Sequence, residues 1–260
     1  MPDNSLLFIT GMFVFPFVCV LLPIVAGQRC GLYTKKRTGK VNESPVGSVV
    51  AASLGLLAFM LAFTFQIVDN RYSSRKELLL NEVTTIRTAY LQSGLIPQNY
   101  KAASRNLLLE YTDIRVALIK DTSPERLDKL KMRSQTILDS LWNYSEALAS
   151  KDRSSEAYSL YTASISELIE IYHKRVTFTF EYRMPVAILW VLFLVTCASM
   201  FLLGFQFGIS GRRHHILAVF ISVIFASVMF LILALDNPET GLIRLNQTPI
   251  LTLYKELSQR

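Results

Sequence analysis

The sequence predicts an all-α membrane protein: four transmembrane helices, the second and third extended into a juxtamembrane four-helix bundle. Three observations carry that expectation. Four apolar runs, at 6–27, 46–68, 184–208 and 216–235, contain no Asp, Glu, Lys or Arg. Each is about 20 residues or longer, enough to cross roughly 30 Å of hydrocarbon. The stretch between the second and third runs, 69–183, repeats its apolar residues at helical spacing and carries no strand signal. The chain is 51% hydrophobic and only 18% charged, where a soluble domain is about a quarter charged.

The first run lacks a basic leader, and Pro16 and Pro23 interrupt it where a cleavage site would be wanted, so it reads as a span and not a signal peptide. A loop from Gln28 to Pro45 is expected to follow. The second run flows into "LAFTFQIVDNRYSSRKELLLNEVTTIRTAYLQ", Leu61 to Gln92, with no Pro or Gly to stop it. One uninterrupted helix is therefore expected to leave the bilayer. Residues 46–93 would make a rod of about 72 Å. "SGLIPQN", Ser93 to Asn99, supplies a turn. Leu107, Tyr111, Ile114 and Leu118 then recur at 4, 3 and 4. After "KDTSP", Ser123 is placed to cap and Pro124 to take the first position of a helix reaching about Ser150. "SKDRSS" breaks that helix. Tyr158, Tyr161, Ile165, Leu168 and Tyr172 begin another, expected to run from near Ser155 through the third span, with Pro185 able to bend it. The whole is a single membrane domain with 69–183 inserted as a bundle between spans two and three.

The formal charge of +7 fits basic flanks of membrane helices better than nucleic acid, which is not an expected partner. Arg29, Lys35, Lys36, Arg37 and Lys40 in one short loop, with Arg212 and Arg213 in the other, place both loops in the cytoplasm of a plasma (inner) membrane. Both termini and the bundle then lie outside. Bases near the other face (Arg71, Arg75, Lys76, Lys174, Arg175, Arg183 and Arg244) keep the opposite arrangement open, with a cytosolic bundle. Cys19, Cys30 and Cys197 form no CxxC or disulfide framework. His173, His214 and His215 have no ligand-spaced partner, so no metal or cofactor is expected. With no nucleophile, Walker or dinucleotide motif either, an enzyme is not expected.

The spans hold no ionisable group of the kind that pumps and proton-coupled carriers use. Their polar residues are Ser53, Thr64, Gln66, Thr196, Ser199, Ser222 and Ser227. These either satisfy backbone carbonyls between packed helices or line a passive path, in which Ser53, Gly55, Thr64 and Gln66 of the second span are the candidates. Asp69 and Arg71 end the second span, Arg183 opens the third and Asp236 ends the fourth. They form a charge cluster at one membrane face, either a ring of interfacial salt bridges or an ion-attracting mouth. Glu82 lies on the long helix where Val83, Ile86 and Tyr90 turn it towards the bundle. It is expected to be buried and paired with Arg87, Arg115 or Arg71, Arg115 being favoured because Arg87 is five residues on.

"GLLAFMLAFTF", "NRYSSRKELLLNEVTTIRTAYL", "LLLEYTDIR", "EYRMPVAILWVLF" and the tail "LDNPETGLIRLNQTPILTLYKEL" resemble, in order and spacing, the bestrophin-like family of bacterial and plant membrane proteins. The likeness covers about Val46 to Leu257. The residues that carry it include Arg71, Glu82, Arg87, Tyr111, Arg115, Arg183, Pro185, Asp236, Pro238 and Gly241. The resemblance implies a homo-oligomeric channel that conducts inorganic ions passively within the lipid bilayer, with its helical part in the cytosol. The competing expectation is a membrane-anchored sensor or scaffold acting through a partner protein.

Overall fold

The computed structural model describes residues 3–39, 43–120, 124–180, 185–211, 215–236 and 245–259. Every regular element among them is a helix. In chain order they are α1 (Asp3–Thr38), α2 (Glu43–Gln92), a short 3-10 turn (Ser93–Leu95), α3 (Gln98–Lys120), α4 (Pro124–Lys151), α5 (Glu156–Phe180), α6 (Val186–Ser210), α7 (His215–Asp236) and α8 (Thr248–Ser258). Among the described residues, four helices are long and apolar enough to cross a membrane: α1, α2, α6 and α7. The chain divides into two compact units, Met1–Ser73 with Arg183–Arg244, and Ser74–Tyr182 with Leu245–Arg260.

The membrane unit is built on a close parallel pair, α1 with α6. Each helix carries a G-x-x-x-G, Gly27 and Gly31 on α1, Gly204 and Gly208 on α6. A Cβ at Gly204 would lie 2.0 Å from the Ile24 carbonyl oxygen, and one at Gly27 would lie 2.0 Å from that of Phe201. A Cβ at Gly208 would lie 2.4 Å from the Gln28 oxygen. No larger residue fits without separating the backbones. Ile24 meets Gly204 and Gln28 meets Gly208, so the two helices run the same way, as first and third spans of an alternating chain must. Burying apolar side chains brings little gain against lipid tails, so backbone approach of this kind holds such helices together. Val20, Ile24, Leu57, Leu61, Val68, Leu192, Met200, Ala218 and Ile232 fill the rest of the interior.

The second unit has a soluble-protein core. Leu79, Ile86 and Tyr90 of α2 pack with Leu108 and Tyr111 of α3, Ile137, Leu141 and Leu148 of α4, and Tyr161, Ile165 and Leu168 of α5. Tyr111 of the α3 repeat and Tyr161, Ile165 and Leu168 of the α5 repeat are among these contacts. α4 begins at Pro124, as expected; Ser123, its expected cap, lies outside the described residues.

Three expectations are corrected. The basic segment after the first span is not a loop from Gln28, because α1 continues to Thr38. Lys35, Lys36 and Arg37 occupy its last turn, where cations meet the negative end of the helix dipole. Gly39 ends it with φ of 76° and its N–H bonded to the Lys35 carbonyl. The helix entering the third span is also not continuous. Pro185 has ψ of 122°, outside the helical region, and serves as the N-cap of a new helix. Proline can offer no N–H to the preceding turn, so the chain restarts there. Finally, the bundle has a fifth member. α8 buries Ile250, Leu253 and Leu257 in the same core and packs on α3.

Candidate ion path and buried charge cluster

The described hydroxyls of the spans close on backbone carbonyls. Ser53 Oγ donates to the Val50 oxygen at 2.9 Å, and Thr64 Oγ1 to that of Met60 at 2.7 Å. Thr196, Ser222 and Ser227 bond the carbonyl four residues back, and Ser199 Oγ reaches across to the Ser53 oxygen at 3.1 Å. Thr64 is fully buried, so it is withdrawn from any lining, and Ser53 is half-buried. Gly55 and Gln66 are exposed. They belong to an open stripe on α2 that runs Gly55, Phe59, Phe63, Gln66 and Asn70 at spacings of three and four. Phe59 is 65% and Phe63 48% exposed, and their rings stack with centroids 6.4 Å apart. Sequence reasoning missed the two phenylalanines because aromatic residues in a span read as ordinary lipid-facing bulk.

At the membrane face, Arg71 Nη1 donates to Asp236 Oδ1 at 3.1 Å, with both side chains largely buried. Asp69 is exposed. Arg183 lies outside the described residues, as do Pro238 and Gly241. Among the described residues, the predicted cluster is thus represented by one ion pair joining α2 and α7.

Glu82 is fully buried in the second unit, well beyond Val68 where the apolar run ends. Tyr111 Oη donates to its Oε1 at 2.7 Å. Arg115 Nε lies 3.0 Å from Oε1 and 3.1 Å from Oε2. Arg175 Nε, from α5, lies 3.4 Å from Oε1. Two helices, α3 and α5, thus aim three donors at one carboxylate of the long helix. Burial alone would raise the Glu82 pKa, but the charges of Arg115 and Arg175 and the Tyr111 bond outweigh it and hold the carboxyl below its ordinary range. Burial, then the Glu82 charge, push the Tyr111 phenol up and keep it a donor. Burial and the neighbouring Arg175 lower Arg115, whereas at Arg175 burial is outweighed by the Glu82 charge together with Tyr111, its hydrogen bond included, and Tyr172, which raise it.

Of the three expected partners, Arg115 is the one that meets Glu82. Arg87 pairs instead with Glu256 of α8, and Arg71 with Asp236. Arg175 was missed as a partner, although a signal existed. Leu168 and Tyr172 predict Arg175 as the next inward position of α5, just as Leu79 and Ile86 bracket Glu82 and Tyr111 precedes Arg115 by four. Each charge occupies a core position of its own helix.

A Bestrophin-like domain matches residues 15–250. Among solved structures, the fold is similar to a membrane protein at TM-score 0.70 and 19% identity, covering 95% of this chain and 97% of that one. It is also similar to a bacterial bestrophin homologue from Klebsiella pneumoniae, in a mutated form at TM-score 0.69, 19% identity and coverage of 95% and 98%. A further structure of that homologue gives 0.66, 19%, 95% and 97%. No curated protein matched the sequence.

Proposed function

The chain belongs to the bestrophin-like family, and on that premise we propose that it forms a homo-oligomeric channel for passive conduction of inorganic ions. The observation that carries this reading is the open stripe of α2. The described hydroxyls of a single copy are spent on backbone carbonyls, so they line no path inside one chain. The stripe from Gly55 to Asn70 is the surface left to line a conduit shared among copies. Stacked Phe59 and Phe63 would form an apolar constriction of the kind that gates by dewetting, with Gln66 and Asn70 at its polar end. Asp69, exposed one residue before Asn70, and the Arg71–Asp236 pair would set the charge at that end.

Purified protein in liposomes should dissipate an ion gradient, and Phe63→Ala should raise the flux several-fold by widening the constriction. Ion-tight liposomes would end the channel reading and leave the scaffold. Mass measurement of the detergent-solubilised complex reads the copy number, and a monomer would equally end it.

We infer that the bundle lies outside the cytoplasm, a reading supported by Lys35, Lys36 and Arg37 at the C-terminal end of α1. Single cysteines at Thr34 and Ser150 should label from opposite sides of intact cells, Ser150 from outside. Outside labelling at Thr34 reverses the assignment and makes the bundle cytosolic.

A further inference from the structure

One face of α1 changes character where the helix leaves its apolar run. Val18, Leu22, Ala26, Arg29, Tyr33 and Lys36 are all exposed and recur at spacings of 4, 4, 3, 4 and 3, so they form a single stripe. Its first half is apolar, with Leu22 62% exposed. Its second half sets Tyr33, 65% exposed, between two bases, and Arg37 is exposed beside Lys36. Arg29 to Lys36 is about 10 Å along the axis. Side chains on a helix lean towards its start, which carries those of Lys36 and Arg37 back towards the bilayer.

Lys35, on the opposite side of α1, has a different use. A Cβ at Gly211, the C-cap of α6, would lie 2.6 Å from Lys35 Nζ, so this ammonium rests at the negative end of α6. Among the described residues, Arg29, Lys36 and Arg37 form no ion pair. After Asp3, α1 contains no acid to meet them. An unmatched positive patch in line with an apolar stripe, on a helix that crosses the membrane, is complementary to a negative head with an apolar tail. We propose that this face of α1 binds an anionic phospholipid, its phosphate held by Arg29, Lys36 and Arg37 and its acyl chain lying along Val18, Leu22 and Ala26. Tyr33 suits the boundary between the two, with an apolar ring and a polar tip. Each base near an anionic membrane surface strengthens the attraction about fivefold. The site is independent of conduction, since none of its residues belongs to α2.

Thermal unfolding of the full chain tests this in detergent micelles doped with phosphatidylglycerol or with phosphatidylcholine of the same acyl chains. Phosphatidylglycerol should raise the midpoint by several degrees and saturate, as ligand binding to the folded state requires. Arg29→Gln, Lys36→Gln and Arg37→Gln combined should abolish the difference between the two lipids. Lys35→Gln should lower the midpoint in both lipids and keep that difference. Glycerol phosphate, which carries the charge without the chains, should leave the midpoint where it was. Equal midpoints in the two lipids, a difference that survives the triple change or vanishes with Lys35→Gln, or a full shift from glycerol phosphate alone overturns the proposal. Should the triple variant fail to fold, the lipid that the unaltered protein retains through purification decides. Enrichment of phosphatidylglycerol over the source membrane supports the site, and the bulk composition overturns it.

Discussion

The membrane unit and the bundle solve the same packing problem with opposite chemistry. In the membrane unit, α1 and α6 touch backbone to backbone through Gly27, Gly31, Gly204 and Gly208, and the described hydroxyls are satisfied by carbonyls. In the bundle, large side chains such as Tyr111, Tyr161, Leu141 and Leu168 are fully buried, and a carboxylate with two guanidinium groups sits among them. The difference follows from what surrounds each region. Lipid offers no gain for hiding a leucine, so van der Waals contact between small residues decides. Water rewards hiding leucine and tyrosine, and a core so formed can hold charges provided that each is met by a partner. α2 passes through both regimes in one helix, Thr64 facing inward as a self-satisfied hydroxyl and Glu82 as a paired ion.

The sharpest way to break this contrast is Glu82→Gln. It leaves two guanidinium groups facing a neutral amide, and losing one member of a buried pair costs about 3–5 kcal/mol. The melting midpoint should fall more than for any exposed pair, with conductance per channel unchanged; altered selectivity would instead place Glu82 on the ion path. The carboxyl's folded pKa is lowered from 4.5. Its contribution is therefore complete above the unfolded value and is lost as pH falls through the lower folded one. Acid melts of the unaltered protein should show that loss, and the Glu82→Gln protein should lack it.

Gly204→Ala tests the membrane unit by the opposite route. The added Cβ meets the Ile24 oxygen at a distance no real contact allows, and overpacking of this kind costs about 1–3 kcal/mol. The expected result is a lower melting midpoint in detergent and weaker crosslinking between cysteines placed on α1 and α6. An unchanged midpoint would mean that close approach of α1 and α6 is not what holds the unit.

Thr64→Val has the smallest expected effect. It removes a hydroxyl bonded to the Met60 carbonyl, so the midpoint should shift by less than about 1 kcal/mol equivalent, with ion flux unaltered. A large loss of flux would return Thr64 to the ion path and undo the division between inward hydroxyls and the open stripe.

Much of this was legible because both signals are local. Twenty-residue apolar runs without charge announce α1, α2, α6 and α7, and the absence of Pro or Gly from Leu61 to Gln92 announces that α2 does not stop at the membrane. Glu82 announced its burial by standing between Leu79 and Ile86. The extension of α1 to Thr38 was hidden by its charges, which read as loop although a helix C-terminus favours them. α8 carried Ile250, Leu253 and Leu257 at helical spacing but is only one short segment, whose place depends on a core made by others.

By itself the sequence determined the helical class, the four spans, the unbroken course of α2 and the burial of Glu82, because each depends on hydrophobic period and chain breakers within one segment. Tertiary structure alone decided that Glu82 meets Arg115 and Arg175 while Arg87 goes to Glu256, that α8 joins the bundle, and that Ser53 and Thr64 turn inward while Gly55 and Gln66 stay open. Those outcomes depend on which faces of separate helices come together, and helical period specifies a face without specifying its neighbour.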